Sequence, residues 1–315
     1  MHRDQITNHI LMIRPTNFRM NEQTAVNNFY QKSLSDITED EIQAKALIEF
    51  DNLVNKLKSK GVNVIVLNDK PFPITPDSIF PNNWISFHQN GDVGLYPMFA
   101  PNRRLERRED ILDILEDKGF VIENVIDYST AELDEIFLEG TGSVVLDREN
   151  QNAYCAISPR AEEELFIEFC EDFDYNPIVF AAFQTVEDKR ALIYHTNVMM
   201  TIGKTFAVVC LECIDDSRER KNLIQHLKES GKEIISITEK QLSHFAGNML
   251  QVKGHFEKPI IVMSENAYNS LSKHQISQIE KHGEIIYSDV NTIETCGGGS
   301  VRCMMAEVFL PISIT

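Results

Sequence analysis

Basic charge is what this chain has least of. It sets 30 Lys and Arg against 48 Asp and Glu in 315 residues, a formal net charge of −18. Nucleic acids are bound through a basic face that releases counterions, so a nucleic acid is not the expected partner. Long apolar runs are missing as well, since no stretch reaches the roughly 18 residues of a membrane span. The early apolar patch Ile10-Leu-Met-Ile13 meets Arg14 and Pro15 at once, so neither a signal peptide nor a transit peptide is expected. The six cysteines (Cys155, Cys170, Cys210, Cys213, Cys296 and Cys303) follow no disulfide-framework spacing. Cys210-Leu-Glu-Cys213 reads formally as CxxC. It closes the apolar run VVCLEC and no second ligand pair follows, so a buried strand is expected there rather than a redox or zinc site. A cytoplasmic protein without metal or cofactor is the resulting expectation. No Pro/Ser linker or low-complexity tract divides the chain, which reads as one domain over 1–315.

Apolar residues make up 43% of the chain, the composition of an ordinary globular protein. Short strand-like runs such as VNVIVL, VGLYPMF, AYCAI, FAVVCLEC and PIIVMS alternate with helix-like stretches. The helical candidates include QTAVNNFYQKSL, EDEIQAKALIEFDNLVNKLKSKG, RAEEELFIEFCEDF and DSRERKNLIQHLKESG, several of them stopped by glycine. The segments IFPNNWISF, FLEGTGSVVL, IYHTNVMMTI, HFAGNMLQV and ETCGGGSVRCMM align as a repeated lead-in to a strand. With Phe80, Leu138, Tyr194, Phe245 and Cys296 as anchors, the steps are 58, 56, 51 and 51 residues. The spacing fits five α/β units around an axis; it fits an ordinary α/β sheet equally well.

In the first arrangement, residues at the same point of each repeat converge. Those residues include Asn82, Asn83, Glu139, His195, Asn197 and, beyond three glycines, Cys303. A carboxylate, an imidazole and a thiol in one cavity are the parts needed for thiolate nucleophilic catalysis.

These segments resemble the guanidino-group modifying enzymes, the pentein or amidinotransferase superfamily that includes arginine deiminase and dimethylargininase. GGGSVRCM at 297–304 resembles their C-terminal nucleophile motif, FLEGTGSVVL their Glu-Gly-Gly-Asp segment, YHTNVM their His-x-Asp segment and AISPRAE a Ser-x-Arg loop. PNNWISF and the Arg-rich NRRLERRE fall in the family's order. RPTNF at 14–18 is similar to the start of the bacterial citrulline-utilisation hydrolases. The resemblance implies an α/β fold, a five-bladed α/β propeller of quasi-repeated ββαβ units, and a cofactor-free cysteine hydrolase acting on a small amino acid. It implies Cys303 as nucleophile, with Cys296 a decoy, His195 as general acid and base, and Glu139 as the group that orients imidazole and substrate. Arg160 is expected on the substrate carboxylate, with Arg104, Arg107 and Arg14 as further candidates.

The chain departs from the family's pattern at two positions. Asn83 and Asn197 stand where members acting on a cationic guanidinium usually carry aspartate. An amide offers both donor and acceptor, which suits a neutral ureido group. Citrulline is therefore the expected substrate, with arginine or methylarginine hydrolysis, amidino transfer and a non-catalytic binding protein as alternatives. Were arginine preferred instead, Asp77 or Asp92 would be the missing carboxylate. Homo-oligomerisation is left open.

Overall fold

The computed structural model describes residues 3–34 and 36–313. Among the described residues the strands form five three-stranded sheets with one shared pairing scheme, plus the hairpin Phe183–Val186/Lys189–Leu192. In each sheet two strands pair antiparallel, a helical crossover follows, and a third strand pairs parallel with the second. Ile85–Phe87, Asp92–Leu95 and Asn124–Asp127 form one such unit. Val144–Asp147, Asn152–Ala156 and Asn176–Phe180 form the next. Met200–Ile202, Phe206–Val209 and Glu233–Ser236 follow, and then Leu250–Lys253, Pro259–Ser264 and Glu284–Ser288. The fifth unit is assembled from both ends of the sequence. His9–Arg14 pairs antiparallel with Ala306–Glu307 and parallel with Asn63–Asn68. The ββαβ order expected from the repeat is thus present five times in the strand pairing of a mixed α/β fold.

The crossover helices follow their sequence signals. Helix Glu39–Ser59 starts at a capping box between Thr38 and Glu41 and buries Ile42, Ala46, Phe50, Leu53 and Leu57 at helical spacing. Helix Ser217–Glu229 is capped by Asp216 and turns Leu223 and Leu227 inward. No described helix is long and apolar enough to cross a membrane.

Two sequence expectations are corrected. QTAVNNFYQKSL is not one long helix: only Glu22–Ala25 is helical. The asparagines that follow take tertiary partners instead, Asn27 bonding Arg160 and Asn28 reaching the carbonyls of Gly297 and Gly298. The repeated lead-ins are also not strands throughout. Short helical turns at Pro81–Asn83, Gly140–Ser143 and Thr196–Met199 precede the first strands of three units. These turns pack on one another at the centre, where a compact turn places side chains that an extended strand would carry past.

Candidate active site

Cys303 lies at the end of a tight turn in which its N–H donates to the Ser300 carbonyl at 2.9 Å. It is 3% exposed. The preceding Gly298 has φ +63°, and a Cβ there would come within 2.5 Å of the Asn28 amide, so the turn requires glycine. Two asparagines flank the thiol: Nδ2 of Asn248 lies 3.3 Å and Nδ2 of Asn197 3.7 Å from Sγ. The same Asn248 amide donates to the Asn197 carbonyl at 2.9 Å, and its Oδ1 accepts from the Arg302 N–H at 3.1 Å, which ties the thiol loop to the neighbouring turn.

Cys303 shares a buried cavity with His195, Asn83, Asp77, Arg103 and Arg160. The cavity is small, about 10 Å³, room for a single water molecule. The segment carrying Thr24 and Asn28 forms part of its wall. Nε2 of His195 lies 2.7 Å from Oε2 of Glu139. Opposite, a Cβ on Gly142 would fall 2.4 Å from the Asn83 amide and 2.8 Å from Nδ1 of His195; only glycine lets both approach.

The electrostatics centre on Glu139. Arg160 lies 3.5 Å and Arg103 3.9 Å from its Oε2. Burial would raise the Glu139 pKa, but Arg160, His195 and Arg103 overcome it and bring it down to about 2. Burial lowers His195 to about 4 despite the carboxylate beside it, because the two guanidinium groups already balance that charge. The pair is therefore an ionised Glu139 accepting from the Nε2–H of a neutral imidazole, which leaves the lone pair on Nδ1. Asp77 and Glu106 join the same network through Arg103, at 3.8 and 2.9 Å. Burial raises both, Glu106 to about 8 even though it holds Arg103 directly. Three buried carboxyl groups meet two guanidinium groups, and two of the three, Asp77 and Glu106, keep a proton more readily than in solvent.

The family model described as "N,N dimethylarginine dimethylhydrolase, eukaryotic" matches residues 14–310. The chain belongs to this family. The dimethylarginine dimethylhydrolase family lies within the pentein, guanidino-group modifying superfamily, whose hydrolases act on carbon–nitrogen bonds other than peptide bonds. Solved structures agree in fold. ArgZ, an arginine dihydrolase from cyanobacteria, is 17% identical with a TM-score of 0.72; the match covers 97% of this chain but 41% of that one. This chain therefore spans less than half of full-length ArgZ. The N-terminal domain of ArgZ, solved with substrate, gives 16% identity and a TM-score of 0.70 over 95% of this chain and 97% of that one. DDAH from Pseudomonas aeruginosa, solved with citrulline, gives 14% identity and 0.62 over 96% and 100%. No curated protein sequence matches.

The residues expected at the site divide. Cys303, His195, Asn83 and Arg160 line the cavity, and Glu139 stands directly behind His195. Asn197 is not among the lining residues; its amide reaches the Cys303 sulfur and the Thr141 carbonyl instead. Arg104 turns away to the carbonyls of Met98 and Phe99, and Arg107 to Glu132. Arg14 pairs with Asp51 at 2.8 Å, outside the cavity. The arginine of the Arg-rich run that does enter is Arg103, whose Nη1 donates to Oδ1 of Asn83 at 2.9 Å. It neighbours Arg104 on a helical turn, where successive side chains point roughly 100° apart. Asn248 was also unassigned in the sequence. A signal existed, since Asn83, Asn197 and Asn248 each stand three residues after a repeat anchor. Cys210 and Cys213 are buried, in and beside a 3₁₀ turn, with sulfurs 3.0 Å apart. Cys296 is buried in the core, its thiol raised to about 11 by burial.

Proposed function

We propose that the chain hydrolyses the guanidino group of an arginine-like amino acid through a covalent adduct on Cys303. The observation that carries this reading is a thiol and an imidazole on one small cavity, with Glu139 bonded behind the imidazole and a buried carboxyl, Asp77, on the cavity wall. Asp77 supports it further: its buried Oδ1 has no hydrogen-bond partner among the described residues, so an acceptor is free at the cavity wall. Family membership and the arginine-acting fold relatives point the same way.

In this reading Sγ attacks the planar guanidino carbon, its proton passing to His195, and the bond from that carbon to the terminal nitrogen breaks, so that ammonia or a methylamine departs. His195 moves the proton that the departing nitrogen needs, and then takes one from the water that cleaves the thiouronium adduct. The products are the ureido amino acid and ammonia, or a methylamine from a methylated substrate. Arg160 and Arg103 receive the substrate carboxylate. Arg160 now donates to Oδ1 of Asn27 and the Thr24 carbonyl at 2.9 Å, two neutral acceptors that a carboxylate would displace. A substrate of amino-acid size needs the segment bearing Thr24 and Asn27 to move outward. The five sheets serve as blades of a single propeller domain around this site.

A second reading, hydrolysis of citrulline to ornithine, ammonia and carbon dioxide, is supported by Asn83. Its buried Nδ2 has no partner and could donate to a ureido oxygen. Incubating the enzyme with arginine, dimethylarginine, citrulline and agmatine, with products read by mass spectrometry, separates the two. Turnover of arginine or methylarginine is expected; turnover of citrulline alone would establish the second reading, and turnover of none would remove both.

A further inference from the structure

A second cavity of about 320 Å³ lies at the opposite ends of the strands that start from the active-site turns. Strands Ile85–Phe87 and Val144–Asp147 leave the Asn83 and Glu139 turns and end at His88 and Arg148. Three or four extended residues separate the two ends by roughly 10–13 Å. Arg148 is 5% exposed, lines the cavity, and holds its guanidinium 4.0 Å over the ring of Phe309. Among the described residues its guanidinium makes no hydrogen bond and no ion pair.

The other charges around it are already engaged. Arg3 donates to the Phe173 carbonyl at 3.0 Å and pairs with Asp174 at 3.4 Å. Asp4 lies 3.5 Å from Lys253. His88 is stacked on Phe173 at 3.9 Å, with Nε2 at 2.8 Å from Ser86. Burial lowers its pKa, and Arg148 and Arg3 lower it further, so it adds no charge. A buried guanidinium with five donors and no acceptor is costly, and rare unless something else supplies the acceptor. Flat aromatic walls beside that fork suit a planar anion carried on an apolar body.

We propose that this cavity binds a small organic carboxylate, held bidentate by Arg148 with its apolar part against Phe309 and Phe173. The test titrates acetate, butyrate and benzoate into the whole chain by calorimetry, with inorganic phosphate as comparator. Wild type and Arg160→Gln should bind alike, with affinity rising from acetate to benzoate, while Arg148→Gln should weaken binding by at least about 10-fold. Circular dichroism confirms that the variant is folded; should it not be, Arg148→Lys keeps the charge and loses the fork, and should weaken binding in the same direction. Binding that survives loss of Arg148, binding lost in Arg160→Gln, or no saturable binding up to about 10 mM would overturn the proposal. Phosphate binding as well as benzoate would reduce the cavity to an inorganic-anion site and overturn the carboxylate class.

Discussion

The strands that leave the Asn83 and Glu139 turns run between two cavities built on opposite terms. At the Cys303 end every guanidinium is matched: Arg103 and Arg160 face Glu139, Asp77 and Glu106, and the space between them holds about one water. At the His88 end the space is about 320 Å³ and one buried guanidinium, Arg148, has no ion-pair partner among the described residues. The difference teaches how a chain of net charge −18 spends its few cations. Where a buried carboxyl oxygen such as Asp77 Oδ1 lacks a donor, the missing partner is a donor, a role a cation fills; where an arginine lacks an acceptor, the missing partner is an anion. Buried charge left uncompensated by the protein marks what a ligand must bring.

The largest expected effect breaks the first end outright. Cys303→Ala should lower kcat by about 10³ or more in an ammonia-release assay, since a nucleophile and its base act as one unit. Cys296→Ala, removing a thiol in the core away from the cavity, should stay far closer to wild type; a dead Cys296 variant with an active Cys303→Ala would move the nucleophile. His195→Asn should cost about 10²–10⁴ in kcat. A wild-type rate in that variant would take the imidazole out of the reaction.

Smaller changes sharpen the comparison. If Arg160 holds the substrate carboxylate, as proposed, Arg160→Gln should raise KM at least about 10-fold while kcat falls less. Equal loss in kcat alone would assign Arg160 to holding Glu139 instead. Asn83→Asp places a carboxylate beside Arg103 and takes a donor from the cavity. The ratio of kcat/KM for arginine over citrulline should rise by up to about 10-fold, and an unchanged ratio would mean Asn83 does not meet the reacting group.

The smallest effect is on stability. His195 is held neutral in the fold, with its pKa lowered to about 4 from 6.5. Between those values the unfolded chain binds the proton and the folded one does not, so stability falls as pH drops through that window. Glu139, lowered to about 2, adds a further loss as pH falls below 4.5. Urea midpoints measured from pH 7 to 4 should decline in wild type and decline less in His195→Asn. Identical slopes would place the proton elsewhere.

The sequence by itself determined the order of elements and the chemistry-bearing types. Capping at Thr38 and Asp216 sets the helix starts, the five lead-ins recur at near-constant steps, and Cys303, His195 and Glu139 sit at positions such a repeat brings inward. These are local or periodic signals, and local physics reads them. Tertiary structure decided which of two adjacent arginines enters the cavity, because Arg103 and Arg104 differ only in direction around one turn. It decided that Asn27 and Asn28 abandon a helix for Arg160 and the glycine turn. It also decided that Asn197 meets sulfur rather than the cavity, and that the Arg148 guanidinium is buried without a hydrogen-bond or ion-pair partner among the described residues. Each of those outcomes depends on residues far apart in sequence, and on burial, which turns an ordinary surface charge into one that must be answered.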